Sequence, residues 1–286
     1  MSMKTALITG ATSGLGRATA SALARLGYRV LVGGRDKRRT EHAVSEIRAA
    51  TGNDAVEGVF WPLSSRHYVE LAANDVLART ARLDLLVNNA ATLTRTRRIT
   101  HEGFEAAFMI NYLAPFMLTQ LLLPRLRDSA PARIVNIGSH LHRFAKAIDF
   151  DDLHGQQQYR PVYGAFAQSK LALTMFTYAL ARRLEGSGVS ALCVDPGLFR
   201  TAMTGSPAAP LYVKLMRPFL PRPEQAAELV VKAATAPEYA AANGICIGRS
   251  GELRTSDVSY DQAMQERLWT VSLELTELTD QAVSAD

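Results

Sequence analysis

The chain has 286 residues, of which 48% are hydrophobic and 21% charged, and its formal net charge is +5. This composition is typical of a soluble globular protein with a sizeable core, and one doubly wound α/β domain fills such a length. The basic residues are scattered without interleaved aromatic residues, which excludes a nucleic-acid-binding surface.

The two cysteines and the hydropathy pattern set the expected compartment. Cys193 and Cys246 lie in apolar, strand-like runs without metal-ligand spacing, so we expect buried thiols in a reducing compartment and no metal. No run reaches the ~18 uninterrupted apolar residues of a membrane span, and Met1-Ser2-Met3 leaves no room for a signal peptide. The sequence therefore predicts a cytoplasmic protein without a membrane partner.

The first predicted unit is a strand, a glycine-rich turn and a helix. The apolar run 4–9 precedes the turn, and a helical pattern follows it. Glycines let such a turn approach a pyrophosphate, which the amides and dipole of the helix N-terminus stabilise. The residues expected to bind a dinucleotide here are Gly10, Thr12, Ser13, Gly14, Leu15 and Gly16.

The second predicted strand ends at Gly33-Gly34-Arg35 and indicates which dinucleotide binds. A free ribose 2′-hydroxyl usually meets a carboxylate at this tip, whereas a 2′-phosphate meets an arginine. Gly34 is expected to leave room for the phosphate and Arg35 to bind it, with Arg17 and Arg38 adding charge. The alternative is a solvated basic run, but the missing carboxylate favours NADP(H) over NAD.

Strand-like and helix-like segments alternate along the rest of the chain. Strands are predicted at 4–9, 29–33, 56–60, 84–87, 133–137, 189–195 and 244–247. Helices are predicted at 14–26, 37–50, 65–79, 101–126, 163–184, 223–235 and 261–279. This order predicts an α/β fold: a single doubly wound Rossmann-type domain over 1–286, with a seven-stranded parallel sheet and helices on both faces.

The segment 198–222 differs from the rest because it is rich in proline, glycine and apolar residues. Long loops of this kind are uncommon unless they are functional. A disordered surface loop fits poorly with its apolar middle, so the segment is interpreted as a lid over a substrate.

Several short motifs follow the predicted strands in a fixed order. They are Asn88-Asn89-Ala90, Asn111, Ser139, Ser169-Lys170 and Pro196-Gly197. With the G-x-x-x-G-x-G spacing of the first turn, they resemble the short-chain dehydrogenase/reductase family over nearly the whole chain. The segments 150–153, 181–189 and 267–278 are most similar to its retinol-dehydrogenase-like branch.

The resemblance implies roles for residues of this chain. Ser139 would bond the reacting oxygen, Asn111 would hold a helix and a proton-relay water, and Lys170 would bind the nicotinamide ribose. Further cofactor contacts would come from Leu63, Asn89, Ala90, Pro196, Gly197 and Thr201. A homodimer or homotetramer is expected, with a small molecule as substrate.

The family's catalytic tyrosine is replaced in this chain. Phe166 stands four residues before Lys170, so the usual proton donor is missing. Phe166 is either an engineered substitution or the natural residue. Further departures at Pro62, Ala91 and Gly138 favour the second explanation, because one engineered change does not account for four.

Three other side chains are alternative proton donors. Tyr163 lies seven residues before Lys170 and would share its face of an α-helix, one turn further along the axis. His140 and His142 directly follow Ser139, and a histidine donates a proton near neutral pH. The competing interpretations are a tyrosine packed at a helix start and two histidines of the pocket wall.

Three functions are consistent with these residues. The first is an NADPH-dependent carbonyl reductase or alcohol dehydrogenase acting on an apolar small molecule, expected to be a specialised metabolite. The second is a non-redox cyclase, dehydratase or isomerase on the same fold. The third is a nucleotide-sensing binding protein, in which Ser139, Lys170 and an apolar lid would have no purpose.

Overall fold

The computed structural model describes residues 3–200, 204–205, 208–209 and 211–282. Its strands are β1 (Thr5–Ile8), β2 (Arg29–Gly34), β3 (Val56–Phe60), β4 (Leu85–Asn88), β5 (Ala132–Ile137), β6 (Val189–Val194), β7 (Cys246–Gly248) and β8 (Gly251–Glu252). Within the described residues they form one eight-stranded sheet in the order β3-β2-β1-β4-β5-β6-β7-β8.

Helices connect the strands. They are α1 (Gly14–Arg25), α2 (Lys37–Thr51), α3 (Arg66–Arg79), α4 (Ala106–Phe108), α5 (Ala114–Asp128), α6 (Ala167–Arg183), α7 (Leu211–Met216), α8 (Pro223–Thr235) and α9 (Gln262–Thr276). Two π-helical segments, Met109–Leu113 and Pro161–Phe166, lead directly into α5 and α6. Both segments lie at the candidate site described below.

Successive strand residues enter two separate hydrophobic cores, one on each face of the sheet. Leu7 and Leu86 belong to the core that α3, α5, α6 and α9 cover, whereas Ile8 and Val87 belong to the core under α1 and α8. Side chains alternate between the faces of a strand, so a sheet buried on both faces needs continuous apolar runs. This requirement explains why β1 and β4 lack the polar alternation of a half-exposed strand.

The strand order reverses direction between β1 and β4. From β1 the chain moves outward to β2 and β3, then returns to place β4 on the other side of β1. In open α/β sheets such a switch point leaves a crevice at the carboxyl ends of the strands, where ligands bind. The glycine-rich turn after β1 and the Asn88-Asn89-Ala90 motif after β4 both lie at this edge.

The predicted α/β fold with helices on both faces is confirmed, but the prediction of seven parallel strands is wrong. β8 pairs antiparallel with β7, in the register Ile247↔Glu252 and Gly248↔Gly251, which makes the sheet mixed. β8 has two residues, and the first of them, Gly251, adopts φ +107 directly after a tight turn. A strand this short shows no alternation of apolar and polar residues, so the sequence pattern gave no sign of it.

The predicted helix 101–126 begins later than expected. Glu105 forms an antiparallel bridge with Ile99, and its carboxylate accepts a hydrogen bond from the Phe108 amide at 2.8 Å. This bond caps α4, which begins at Ala106. The segment 101–105 is therefore a turn.

The continuous helical segment 106–128 is long and apolar enough to cross a membrane by length and composition. In the folded chain 83% of its most apolar window is buried inside the protein. Phe116 and Leu122, for example, are fully buried. The segment is therefore explained as a core helix.

Candidate functional site

The glycine-rich turn is packed so closely that side chains are excluded from it. Gly10 and Gly14 adopt positive φ angles of +65 and +54. A Cβ atom at Gly10 would lie 2.8 Å from Ala90 Cα, and one at Gly16 would lie 2.5 Å from Asn89 Nδ2. Only glycine satisfies both the backbone angle and the space. The turn after β1 is thus pressed against the turn after β4.

Thr9 and Asn89 hold these two turns together. The Thr9 hydroxyl oxygen accepts hydrogen bonds from the amides of Asn89 (2.9 Å) and Ala90 (3.0 Å). The Asn89 Nδ2 atom donates to the Thr9 carbonyl at 2.8 Å. Asn89 and Ala90, both predicted to bind the cofactor, are therefore adjacent to the glycine-rich turn.

The N-terminus of α1 is suited to binding a phosphate. Ser13 is its N-cap and is exposed, yet its hydroxyl makes no capping hydrogen bond. The first turn of α1 contains no acidic residue. Its amides and dipole thus face no competing carboxylate of their own turn. Thr12, Leu15 and Gly16 complete this turn, so the predicted pyrophosphate-binding residues lie together.

Gly34 has a different role at the β2 tip from the predicted one. A Cβ atom there would lie 2.1 Å from Thr40 Oγ1 and 2.6 Å from Thr12 Cγ2. The space that the sequence assigned to a phosphate is thus filled by two threonine side chains. The Asp36 carboxylate accepts the Arg39 amide at 2.8 Å as the cap of α2.

Arg35 is an exposed cation at this edge, whereas Arg17 is already paired. The Arg17 Nη1 atom lies 2.5 Å from the Glu46 carboxylate. In the turn after β3 Leu63 packs, partly buried, against the hydrophobic core. A cofactor contact of Leu63 through its amide stays a prediction.

Asn111 is held in a π-helical turn by a loop that the sequence did not single out. Its Oδ1 atom accepts the Thr92 amide at 2.7 Å, and its Nδ2 atom donates to the Thr92 carbonyl at 3.1 Å. Nδ2 also donates to the Ser169 hydroxyl at 3.0 Å, and that hydroxyl donates to the Phe166 carbonyl at 2.8 Å. Asn111 therefore fixes the backbone of Phe166, just before Lys170.

Lys170 is a buried amine that is hydrogen-bonded to the backbone. Its Nζ atom donates to the Ile137 carbonyl at 2.7 Å, and the side chain is 3% exposed. Burial lowers the pKa of Lys170 to about 8, and the nearby Cys193 and Asp195 oppose this shift. The Nζ atom lies 5.9 Å from the centre of the Phe166 ring.

Ser139 lies two residues beyond the carbonyl that holds Lys170. It follows β5 in extended conformation, is half-buried, and its hydroxyl accepts the Leu141 amide at 3.3 Å. The sheet edge thus brings together Ser139, Lys170 and Asn111, as predicted from their order.

His142 is occupied by structural hydrogen bonds. Its Nδ1 atom lies 2.7 Å from the Ser139 carbonyl, and its Nε2 atom accepts the Ser256 amide at 3.1 Å. The proton is therefore assigned to Nδ1. Burial lowers the pKa of His142, so the ring is neutral at physiological pH. These contacts oppose His142 as an acid, while His140 is exposed.

Tyr163 lies at the rim of the site. Its hydroxyl is 3.3 Å from that of Tyr212 on α7, and its ring packs edge-on against Phe144 at 4.8 Å. The α-helical spacing from which Tyr163 was predicted to share the face of Lys170 does not apply, because residues 161–166 form a π-helix with i→i+5 hydrogen bonds. Tyr163 as a proton donor stays a prediction.

Pro196 and Gly197 follow β6 at the same edge. Pro196 is buried, and Gly197 adopts φ +71 while its amide donates to the Asp195 carboxylate at 2.9 Å. Thr201, also predicted to bind the cofactor, lies outside the described residues. The lid prediction 198–222 falls partly outside them, at 201–203, 206–207 and 210.

The sequence also missed why glycine occurs at position 138. A Cβ atom there would lie 2.6 Å from the sulfur of Cys193, on the neighbouring strand β6. The two positions therefore share one volume. The sequence contained a signal, since Gly138 departs from the family's pattern and Cys193 lies in a later predicted strand. The two can be connected only when β5 and β6 are known to be neighbours.

A family model described as short chain dehydrogenase matches residues 4–210. Polyprenol dehydrogenase of Mus musculus is 39% identical over 284 residues, with 96% of this chain and 84% of that protein covered. Retinol dehydrogenase 12 of Mus musculus is 39% identical over 273 residues, covering 95% of this chain and 86% of that protein.

Solved structures share the fold. An uncharacterised protein from Mycobacterium Paratuberculosis superposes with a TM-score of 0.77 at 30% identity, covering 97% of this chain and 94% of that one. The Pseudomonas aeruginosa RhlG/NADP active-site complex superposes with a TM-score of 0.70 at 28% identity, covering 90% of this chain and 96% of that one.

Proposed function

The chain belongs to the short-chain dehydrogenase family, and on this premise we propose that it is an NADPH-dependent oxidoreductase interconverting a carbonyl and an alcohol on an apolar small molecule. Relatives named for polyprenol and retinol support an apolar substrate. A cytoplasmic location, a homodimer or homotetramer, and a specialised metabolite as substrate belong to the same proposal.

The observation that carries the proposal is the arrangement around Lys170. Its buried Nζ atom is anchored at Ile137, two residues before Ser139. Asn111 reaches the adjacent Ser169 from a separate helix. A lysine is almost never fully buried unless it is paired or functional. A binding protein without chemistry gives no reason to bury an amine at the end of β5, two residues before Ser139.

The glycine-rich turn fits the cofactor. Gly10 and Gly16 leave space that any Cβ atom would fill, and α1 presents an N-terminus without acidic neighbours. These groups would bind the pyrophosphate, and Arg35 would bind the ribose 2′-phosphate. When bound, NADPH supplies the hydride to the carbonyl carbon. The relative solved as an NADP complex supports this choice of dinucleotide.

The chain's own residues then act on the substrate oxygen. The Ser139 hydroxyl donates a hydrogen bond to it, which stabilises the charge that develops during reduction. Lys170 contributes a positive charge and, with a pKa of about 8, is the acid that we propose. Its ammonium proton passes to the oxygen, directly or through one water, and the amine regains a proton from solvent. Phe166 has no proton to donate, so it contributes only the volume of its ring.

The segment 198–222 would exclude water as a lid. Its two ends are already joined, because Arg200 donates to the carbonyls of Pro221 and Leu220, both at 2.9 Å. Closure on ligand binding would slow hydrogen exchange in residues 211–222. Unchanged exchange at saturating NADPH and substrate would contradict a lid.

A panel of apolar aldehydes and ketones tests the proposal through NADPH consumption. The wild-type chain is expected to turn over slowly, and Lys170→Met is expected to be inactive while still folded. No consumption by the wild-type chain across the panel would contradict the proposal.

A second function has one observation in its favour. The Phe166 ring, buried beside Lys170, lacks the phenol of related oxidoreductases. A cyclase, dehydratase or isomerase would use the shape of the substrate site. It would not need a residue that delivers a proton to a carbonyl oxygen. Conversion of a substrate without net NADPH consumption would establish this alternative.

A further inference from the structure

The short helix α7 exposes an apolar face to solvent. Its inward side is anchored by the buried Val213, and Leu220 is buried just after it. The outward side chains are large and apolar, with Leu211 at 71% exposure and Phe219, in the following turn, at 82%. We call this the α7 face; its members are Leu211, Tyr212, Leu215, Met216 and Phe219.

The α7 face continues across the rim of the candidate site. The Tyr212 hydroxyl lies 3.3 Å from that of Tyr163, whose ring contacts the exposed Phe144. Large exposed hydrophobic residues occur singly elsewhere in the described chain, as at Met3 and Leu26. A contiguous apolar patch of this kind marks a protein or membrane interaction site.

The stretches of chain that carry the patch are rich in basic residues. No Asp or Glu occurs between Asp195 and Glu224. The same stretch contains four basic residues, Arg200, Lys214, Arg217 and Arg222. The neighbouring segment 139–148 carries basic residues and no acidic ones. Arg217 and Arg222 are exposed. An apolar face next to stretches of the chain that are rich in basic residues is complementary to a surface that is apolar beneath and anionic above.

We propose that the α7 face binds the surface of an anionic lipid bilayer. The apolar side chains enter the boundary between headgroups and acyl chains, and the surrounding cations contact lipid phosphates. This binding is peripheral and reversible. It replaces the expectation that the chain has no membrane partner.

A second copy of the chain is the competing occupant. A two-fold contact through this face would place Arg217 and Arg222 of one copy against the basic residues of the other. Like charges brought together across an interface oppose association. The charge pattern therefore favours lipid over self-association.

Flotation of the whole chain with vesicles tests the proposal. Binding is expected to vesicles containing phosphatidylglycerol and to be at least 10-fold weaker to pure phosphatidylcholine, because each surface cation contributes roughly 5-fold. Leu211→Ser/Leu215→Ser and Arg217→Glu/Arg222→Glu are each expected to weaken binding about 10-fold or more. Equal binding by either variant and the wild-type chain would overturn the proposal.

Matched controls carry the same substitutions away from the patch. Met3→Ser/Leu26→Ser and Lys4→Glu/Arg25→Glu also change exposed apolar and basic residues and are expected to bind like the wild-type chain. In a Tyr212→Trp variant, brominated anionic lipids are expected to quench the fluorescence of the introduced tryptophan. In Tyr68→Trp they are expected to leave it unchanged. A stable dimer in sedimentation that Leu211→Ser/Leu215→Ser dissociates, without vesicle binding, would assign the face to a second copy and overturn the proposal.

Discussion

The Nζ atom of Lys170 lies 5.9 Å from the centre of the Phe166 ring, with the Ile137 carbonyl as its hydrogen-bond acceptor. A phenol at position 166 would share the proton chemistry of this site, but a phenyl ring offers only its π face to the amine. The Lys170 ammonium is thus the group that we propose as the acid in place of a phenol. This relationship makes Lys170 the centre of the proposed chemistry.

The first prediction concerns the pH dependence of carbonyl reduction. Because burial lowers the pKa of Lys170 to about 8, its ammonium is present below that pH and lost above it. The kcat of reduction should be flat below pH 8 and fall about tenfold per pH unit above it. Single-turnover rates at saturating NADPH measure this profile. Lys170→Arg, which keeps its charge throughout, should abolish the midpoint, and an unchanged midpoint would exclude Lys170 as the acid.

Tyr163 distinguishes the two proton donors. With Lys170 as the acid, Tyr163→Phe removes only the contact with the Tyr212 hydroxyl at the rim, so kcat should change less than about 3-fold. With Tyr163 as the acid, kcat should fall about 10² or more. Tyr212→Phe is the matched control, because it removes the same contact and leaves Tyr163 intact.

Cofactor preference should depend on Arg35. A charge-assisted contact with the 2′-phosphate contributes about 1.5–3 kcal/mol, so Arg35→Ala should weaken NADPH binding roughly 10- to 100-fold and leave NADH unchanged. Titration calorimetry with both cofactors measures the effect, with Arg25→Ala as the control for a lost surface charge. Equal affinities of the wild-type chain for NADPH and NADH would contradict the assignment.

Gly138 and Cys193 should be coupled in stability. A Cβ atom at position 138 would lie 2.6 Å from the Cys193 sulfur, so Gly138→Ala should lower the free energy of unfolding by about 1–3 kcal/mol. Adding Cys193→Ala should recover part of that loss, because it removes the sulfur. Urea unfolding of the wild-type chain, the two single variants and the double variant forms a double-mutant cycle that measures the coupling. Strictly additive effects would show that the two positions do not share space.

The sequence predicted the elements whose signals are local. β1, the glycine-rich turn and α1 follow from an apolar run, glycines and helical periodicity within 25 residues, and the structure places them at the expected edge. The meeting of Ser139, Lys170 and Asn111 at this edge was predictable because they follow strands and helices of known order.

What the sequence missed depends on contacts between distant segments. Thr92 holding Asn111, and Cys193 filling the space beside Gly138, join residues that no periodicity connects. The π-helix before α6 was not predicted, so the α-helical spacing that placed Tyr163 on the face of Lys170 does not apply. β8 was not predicted because a strand of two residues shows no alternation of apolar and polar side chains.

The measurement that tests the central claim most directly is NADPH consumption by Phe166→Tyr and by the wild-type chain on the same panel of apolar carbonyl compounds. If the site is an oxidoreductase site that lacks only its phenol, the tyrosine should raise kcat by about 10²–10⁴ over a slow but measurable wild-type rate. Phe166→Leu, which adds no hydroxyl, is the control and should give no gain. NADPH binding by both proteins without consumption of NADPH by either would contradict the account.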